Sequence, residues 1–143
     1  MKMRFVLPAI GFAACCLAGC VAPPSEQEIA LVHAASKPSS QEAAEAAVKQ
    51  YFNHVLIDAE SARYNFPLPL AQGALTLSGV RQFGWFICGD VNAKNRMGAY
   101  TGYKPFLAYF SPSAPDTVQD GVISSSDRYA IVFDWCKGLY GVK

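Results

Sequence analysis

The polar and aromatic side chains between residues 92 and 103 form the densest group of binding chemistry in this sequence. Aromatic faces and amides pair well with sugar rings and hydroxyls, and an exposed ring with a polar end is also typical of protein interfaces. We therefore predict a loop that binds a glycan or a protein surface through Asn92, Lys94, Asn95, Arg96, Tyr100 and Tyr103. The alternative is a hairpin whose polar side chains only satisfy its own backbone, and both interpretations stay open at this point.

Catalytic and metal-binding patterns are sparse. The two histidines are His33, in the N-terminal segment, and His54, for which the helical pattern favours a partly buried structural role over catalysis. Cysteines and histidines do not cluster at the spacing of metal ligands, and neither a nucleophile elbow nor a phosphate-binding loop is present. We predict no enzyme, metal or cofactor, although a small hydrolase would be conceivable if Asp90, Asp127 and Asp134 converged in space.

The first 19 residues have the order of a secretory signal peptide: a basic start, an apolar stretch and small residues before Cys20. Phe5 to Gly19 is shorter than the roughly 18 to 20 residues that span a bilayer. Leu17-Ala18-Gly19-Cys20 resembles the bacterial lipobox, which implies cleavage before Cys20 and a lipid on its thiol. An ordinary signal cut near Ala18 and an uncleaved anchor are the alternatives. Val21 at the next position favours the outer membrane over the inner membrane.

The remaining cysteines and the charge balance narrow the class further. Cys15 and Cys16 leave with the predicted signal, so Cys88 and Cys136 remain in an oxidising compartment and are predicted to form a disulfide. A reactive Cys88 with a histidine partner is the alternative. Residues 20–143 carry 10 basic and 11 acidic side chains, and this balance does not point to nucleic acid.

The elements that would position these residues follow from capping signals and periodicity. Residues 20–39 are predicted to be a tether with a short helix from Glu26 to about Ala35, and 40–143 a single domain. A long amphipathic helix is expected over 40–59, with an apolar stripe of Ala44, Val48, Tyr51, Phe52 and Val55.

Strands are predicted over 83–91, 104–111 and 129–136, with a loop or weak edge strand over 67–80 and turn-rich loops over 111–116 and 124–127. The segment between the first two strands is expected to be a hairpin loop that uses Gly98 and Gly102. The fold class is therefore α+β: one long helix on an antiparallel sheet of about three to five strands, stapled by a disulfide. Aromatic residues on both faces of the main strand suggest that part of the second face is also covered.

Residues 88–106 read C-G-D-V-N-A-K-N-R-M-G-A-Y-T-G-Y-K-P-F. This segment resembles a pattern found in small uncharacterised proteobacterial envelope proteins, over roughly residues 45–136. The resemblance implies that a helix ends at Asp58–Tyr64, and it carries no function. The chain departs from the pattern at Ala59, where proline is more frequent, and at Ala99, where glycine is.

These observations together predict a membrane-anchored envelope lipoprotein whose 92–104 hairpin binds an envelope protein or cell-wall glycan. Lipid on Cys20 would provide the membrane contact, at the periplasmic face of the outer membrane. An inhibitor of a periplasmic or incoming enzyme such as a lysozyme is the second hypothesis, and the aspartate hydrolase is the third.

Overall fold

Helices and strands follow one another in an α+β order in the computed structural model, which describes residues 24–124 and 129–140. The elements within these residues are α1 (Glu26–Ala34), α2 (Gln41–Phe52), β1 (Asp58–Asn65), β2 (Ala71–Leu77), β3 (Val80–Lys94), β4 (Lys104–Ser111), β5 (Ala114–Ile123) and α3 (Tyr129–Tyr140). Cys20 and Asp127 lie outside the described residues, so the predictions for them stay predictions.

The five strands form one antiparallel sheet around β3, its longest strand. Phe86 and Asp90 of β3 both pair with β4. On the other edge of β3, Phe86 pairs with β2 and Asp90 pairs with β1. β1 and β2 therefore lie one after the other along a single edge of β3, and β5 forms the opposite edge of the sheet beyond β4.

The two faces of the sheet have separate cores because side chains alternate between faces along a strand. Phe106, Ala108 and Phe110 of β4 pack in the core under α2, where Ala44, Val48 and Phe52 are buried. The Phe106 ring lies edge-on to three other rings, those of Phe52, Tyr64 and Phe66, at centroid distances of 5.4, 6.1 and 5.6 Å.

The second face is covered by α3, which confirms the expectation that part of this face is shielded. Leu107 and Tyr109 of β4 pack there with Val132 and Cys136 of α3. The predicted disulfide is present: Cys88 of β3 is bonded to Cys136, with an S–S distance of 2.05 Å. α3 is thus joined covalently to the central strand.

Residues 129–136 are the first correction, because the predicted strand is the start of α3. Isoleucine, valine and aromatic side chains favoured a strand. The buried and partly buried side chains of this segment lie at helical intervals, and they become visible when the pattern is followed past Cys136: Val132, Trp135, Cys136, Leu139 and Tyr140. Tertiary packing and this spacing override the local strand propensity.

The predicted long helix is also wrong in extent. Ser40 caps α2 by accepting a hydrogen bond from the Ala43 N–H at 3.0 Å, but the helix ends at Phe52 instead of about residue 59. His54 and Val55 consequently fall in the following turn and are exposed, so the partly buried role expected for His54 is not observed. α2 is one of three helices in the described residues, and a single long helix does not dominate the fold.

Three segments remain, of which two correct the prediction and one agrees with a stated alternative. Residues 58–64, expected to end a helix, form most of β1, whose register shifts between Asp58 and Arg63. Residues 71–77 form β2, as the weak-strand alternative allowed. The predicted loop over 111–116 reduces to a tight turn at Pro112 and Ser113, because Ala114 already pairs with Ser111 in β5.

The described part of the predicted tether contacts the sheet. The short helix is confirmed as α1, and its Ser25–Glu28 capping box is present. α1 lies across β2 and β3, with hydrogen bonds from Gln72 Nε2 to the Val32 carbonyl (2.7 Å) and from Trp85 Nε1 to the Ala35 carbonyl (3.2 Å). From Pro24 onward the chain is therefore packed against the domain and does not stand apart from it.

Candidate functional site

The loop between β3 and β4 is held by its own asparagines. Asn95 accepts hydrogen bonds through Oδ1 from the N–H groups of Met97 (2.9 Å) and Ala99 (3.1 Å). Asn92 Oδ1 accepts a hydrogen bond from the Gly102 N–H at 3.1 Å. Gly98 and Gly102 adopt positive φ angles of 78° and 91°, a backbone region that favours glycine. The predicted hairpin is confirmed, and these residues give its loop a fixed shape.

Tyr100 joins this loop to β1. Its hydroxyl donates a hydrogen bond to the Ser61 carbonyl at 3.0 Å. The Arg63 guanidinium lies 4.5 Å from the ring centroid and the Lys94 ammonium 5.5 Å from it. Two cations thus lie against one aromatic ring, each attracted to the electron-rich face. Tyr100 is still about one third exposed, so part of the residue is open to a ligand.

Five of the six predicted binding residues consequently divide into two kinds. Asn92, Asn95 and Tyr100 direct polar groups to the protein's own backbone, as the alternative interpretation of a self-satisfied hairpin expects. Arg96 and Tyr103 are exposed, and their side chains make no hydrogen bond, ion pair or ring contact within residues 24–124 and 129–140. Lys94 lies between these two kinds, since its ammonium contacts Tyr100 and its side chain lines a groove.

We call this groove, of about 320 Å³, the hairpin groove. It lies between the α2–β1 turn, the ends of β3 and β5 and the hairpin loop. Its polar lining residues are Lys94, Asn95, Thr101, Lys104 and Ser124. The apolar lining includes Val55, Ile57, Val91 and Ile123.

Exposed apolar residues beside the hairpin groove were missed by the sequence analysis. Val55 and Ile57 are 57% and 65% exposed, and Met97 in the loop is 91% exposed. Val55 was assigned to the helix stripe, and its exposure follows from the early end of α2. Ile57 could have been placed beside the loop only through the pairing of its neighbour Asp58 with Lys94. That pairing follows from the register of β1, which the sequence analysis did not recognise as a strand.

A second pocket, of about 210 Å³, lies beside the disulfide. Its lining is largely apolar and includes Pro67, Leu68, Cys88, Phe133 and Tyr140, with Asp90 and Lys137 as charged members. The Lys137 ammonium lies 4.4 Å from the centroid of the Phe133 ring.

Two of the three aspartates of the hydrolase hypothesis, Asp90 and Asp134, lie in the described residues, and they lie in different environments. Asp90 is half-buried on β3 and lines the pocket beside the disulfide, whereas Asp134 is exposed on α3 and does not line it. Asp134 was expected on a strand, and its position on a helix is part of the correction to residues 129–136. Within the described ranges, no three His, Cys, Asp or Glu side chains are grouped as metal ligands would be.

Among the described side chains, Tyr64 carries the one hydroxyl that is buried without a hydrogen-bond partner. Burial raises the pKa of this phenol, because ionisation would place a charge in an apolar environment. The group lies in the core under α2 and not in either pocket, so it bears on stability and not on ligand binding.

Among the described helices, none combines the length and the apolar character needed to cross a bilayer. Comparison with known proteins adds no assignment: neither a family model, nor a curated protein, nor a solved structure matches this chain.

Proposed function

We propose that this chain is a lipid-anchored envelope protein, held at the membrane through Cys20, and that its hairpin groove and loop bind peptidoglycan. The observation that carries the proposal is the concentration of exposed cationic, apolar and aromatic side chains around one loop whose backbone is hydrogen-bonded to Asn92 and Asn95.

Charge supports an acidic partner. Arg63, Lys94, Arg96 and Lys104 lie at the hairpin end of the sheet, and Asp58 and Glu60 are the nearby carboxylates on β1. Residues 20–143 as a whole carry slightly more acidic than basic side chains, so this local excess of cations differs from the average surface. The peptide side chains of a cell wall carry carboxylates that can pair with lysine and arginine.

The apolar and aromatic components support a polymer that also has sugar rings. Tyr103 is 54% exposed, and Met97 lies on the same loop. Sugar rings have apolar faces that pack on aromatic side chains, while their hydroxyls pair with amide and charged groups. Because the loop is held by Asn92 and Asn95, little conformational entropy would be lost when such a ligand binds.

The test is co-sedimentation of the purified protein with isolated peptidoglycan. We expect the double variant Arg96→Ala, Tyr103→Ala to bind at least about tenfold more weakly, since aromatic and arginine side chains dominate binding surfaces. Neither side chain supports the fold in the described structure, so the thermal transition should not change. Raised salt should weaken binding by the wild type, because Arg63 and Arg96 are solvent-exposed and their charges are screened by ions.

A matched control removes one cation and one exposed aliphatic side chain elsewhere. Lys49 and Val80 are both exposed and lie outside the hairpin groove, so Lys49→Ala, Val80→Ala should bind as the wild type does. Equal binding by the wild type and the hairpin variant would overturn the proposal. The proposal would also be overturned if the wild type did not bind peptidoglycan but inhibited a lysozyme, and if the hairpin variant lost this inhibition. That result would favour an enzyme inhibitor.

A further inference from the structure

We infer that the α1 end of the domain lies against the bilayer and that β3 directs the hairpin groove away from it. This inference rests on the lipid anchor at Cys20, which belongs to the proposed function. It adds the membrane-facing surface and the direction in which the binding site is presented.

The short chain between Cys20 and the packed domain limits how far the domain can lie from the bilayer. Four residue steps separate Cys20 from Pro24, and a chain of that length reaches at most about 14 Å even when fully extended. Pro24 lines a shallow groove together with Ile29 of α1 and Ala74 of β2. Lipid on Cys20 would therefore keep this region close to the bilayer surface.

The position of α1 identifies the end of the domain that lies near the anchor. Its first turn lies near the β2–β3 turn, since Glu28 forms an ion pair with Arg81 at 3.5 Å, while the residue after its end accepts the hydrogen bond from Trp85. The N-terminal end of α1 and the tip of the β2–β3 hairpin are thus at the same end of the molecule. The exposed apolar side chains of this end are Ile29, Leu31 and Val80.

β3 connects the α1 end of the domain to the hairpin groove. It begins at Val80, beside α1, and ends at Lys94, in the hairpin groove. Its contour over these residues is about 46 Å at roughly 3.3 Å per residue, which sets an upper limit on the separation of the two ends. A domain held at its α1 end would therefore present the hairpin loop away from the membrane surface, at no more than this distance.

The charged side chains at the α1 end and at the hairpin end favour different partners. Glu26 and Glu28 lie in the first turn of α1 and Arg81 is paired with Glu28, so attraction to acidic lipid headgroups is not expected to hold this end at the membrane. The apolar side chains and the covalent lipid would do so. The cationic hairpin end is the competing candidate for a membrane surface, because anionic lipids attract lysine and arginine.

The experiment places one fluorescent label at either end of the lipidated full-length protein. Val80→Cys and Met97→Cys each add an exposed thiol, while Cys88 and Cys136 are joined in the disulfide. The labelled proteins are reconstituted into vesicles of phosphatidylethanolamine and phosphatidylglycerol, with and without a headgroup-attached quencher. We expect the label at residue 80 to lose most of its fluorescence with the quencher and the label at residue 97 to lose almost none.

Equal quenching of the two labels, or stronger quenching at residue 97, would overturn the inference and place the cationic end on the membrane. Failure of the wild-type protein to remain with the vesicles would also overturn it, because the anchor would be missing. Membrane association of Cys20→Ser to the same extent as the wild type would have the same consequence. Failure of peptidoglycan binding alone leaves the vesicle result unaffected, so the two proposals can fail separately.

Discussion

Removal of the Cys88–Cys136 disulfide is expected to destabilise the domain strongly without altering its fold. The bond closes a segment of 48 residues between the centre of β3 and α3. By the chain-entropy relation for cross-links, a loop of this length contributes about 4 kcal/mol by restricting the unfolded chain. Small domains typically have about 5 to 15 kcal/mol of total stability, so this loss is a large fraction of it.

The corresponding shift in the melting temperature can be estimated from chain length. Unfolding entropy near the transition is about 2.1 cal/mol/K per residue, so a chain of this size should lose about 15 °C. Circular dichroism melting of the wild type and of Cys88→Ala, Cys136→Ala measures this difference directly. The reduced wild type is the matched control, because it keeps both sulfur atoms and loses only the covalent bond.

A second observable tests whether α3 detaches before the sheet unfolds. Trp135 lies on α3, and Trp85 is replaced by phenylalanine so that fluorescence reports on α3 alone. In the variant without the disulfide, we expect the Trp135 signal to change at a lower temperature than the circular dichroism signal. A melting temperature within about 3 °C of the wild type would refute the loop-length reasoning.

Three further predictions concern single side chains. Tyr64→Phe should raise the free energy of unfolding in urea by about 1 kcal/mol, because it removes a buried hydroxyl that has no hydrogen-bond partner among the described residues. A loss of stability would contradict this. Gly89→Ala should lower the free energy of unfolding by about 3 kcal/mol in the same assay, since an added Cβ would lie 2.5 Å from a backbone oxygen and 2.7 Å from the Phe106 ring. The control is Gly138→Ala, where an added Cβ meets open space and should not be destabilising. Ser40→Ala should cost about 1 kcal/mol through the lost helix cap. It should also raise the Glu42 pKa, which is lowered by the residue's own backbone N–H and then by the Ser40 hydroxyl. Because its pKa is lowered, Glu42 favours the folded state at a pH above the ordinary pKa of glutamate, and this contribution is lost as the pH falls through the folded-state pKa. An NMR titration that gives the same Glu42 pKa in the wild type and in Ser40→Ala would disprove the contact.

The elements with strong local signals could be predicted from the sequence. α2 has a capping serine and apolar residues at helical intervals, and β4 is an apolar run bounded by turn residues. The disulfide followed from counting the cysteines that remain after the predicted signal and lipidation site, together with the predicted oxidising compartment. In each case the local pattern and the tertiary environment favour the same structure.

β1 and β5 could not be predicted because their local patterns are polar and irregular. β5 contains Pro115, Asp116 and Gly121, which are rare in strands, and only Val118 on it is fully buried. Pairing with β4 and packing under α2 stabilise it. The end of α2 was misplaced for a related reason: Val55 continues the helical spacing although the chain has already turned away.

The candidate site was predicted in position but not in composition. Turn glycines and asparagines correctly marked the loop, because their roles are local. Val55 and Ile57 are distant in sequence from the loop, and strand pairing between β1 and β3 brings them next to it. Such proximity depends on the register of a strand that has no local signal.

The exposed outer edge of β5 has a consequence for association between copies of the protein. A lipid anchor would confine many copies to one plane, where unpaired strand edges meet often and could extend one sheet into the next. β5 opposes this with a proline, with register shifts along its pairing to β4 and with the carboxylates of Asp116 and Asp120. The connection from α1 to α2 also reaches this strand, where the Ser39 N–H and hydroxyl both donate hydrogen bonds to Asp116. We therefore expect the same features that hid β5 from prediction to oppose association of copies through this edge of the sheet.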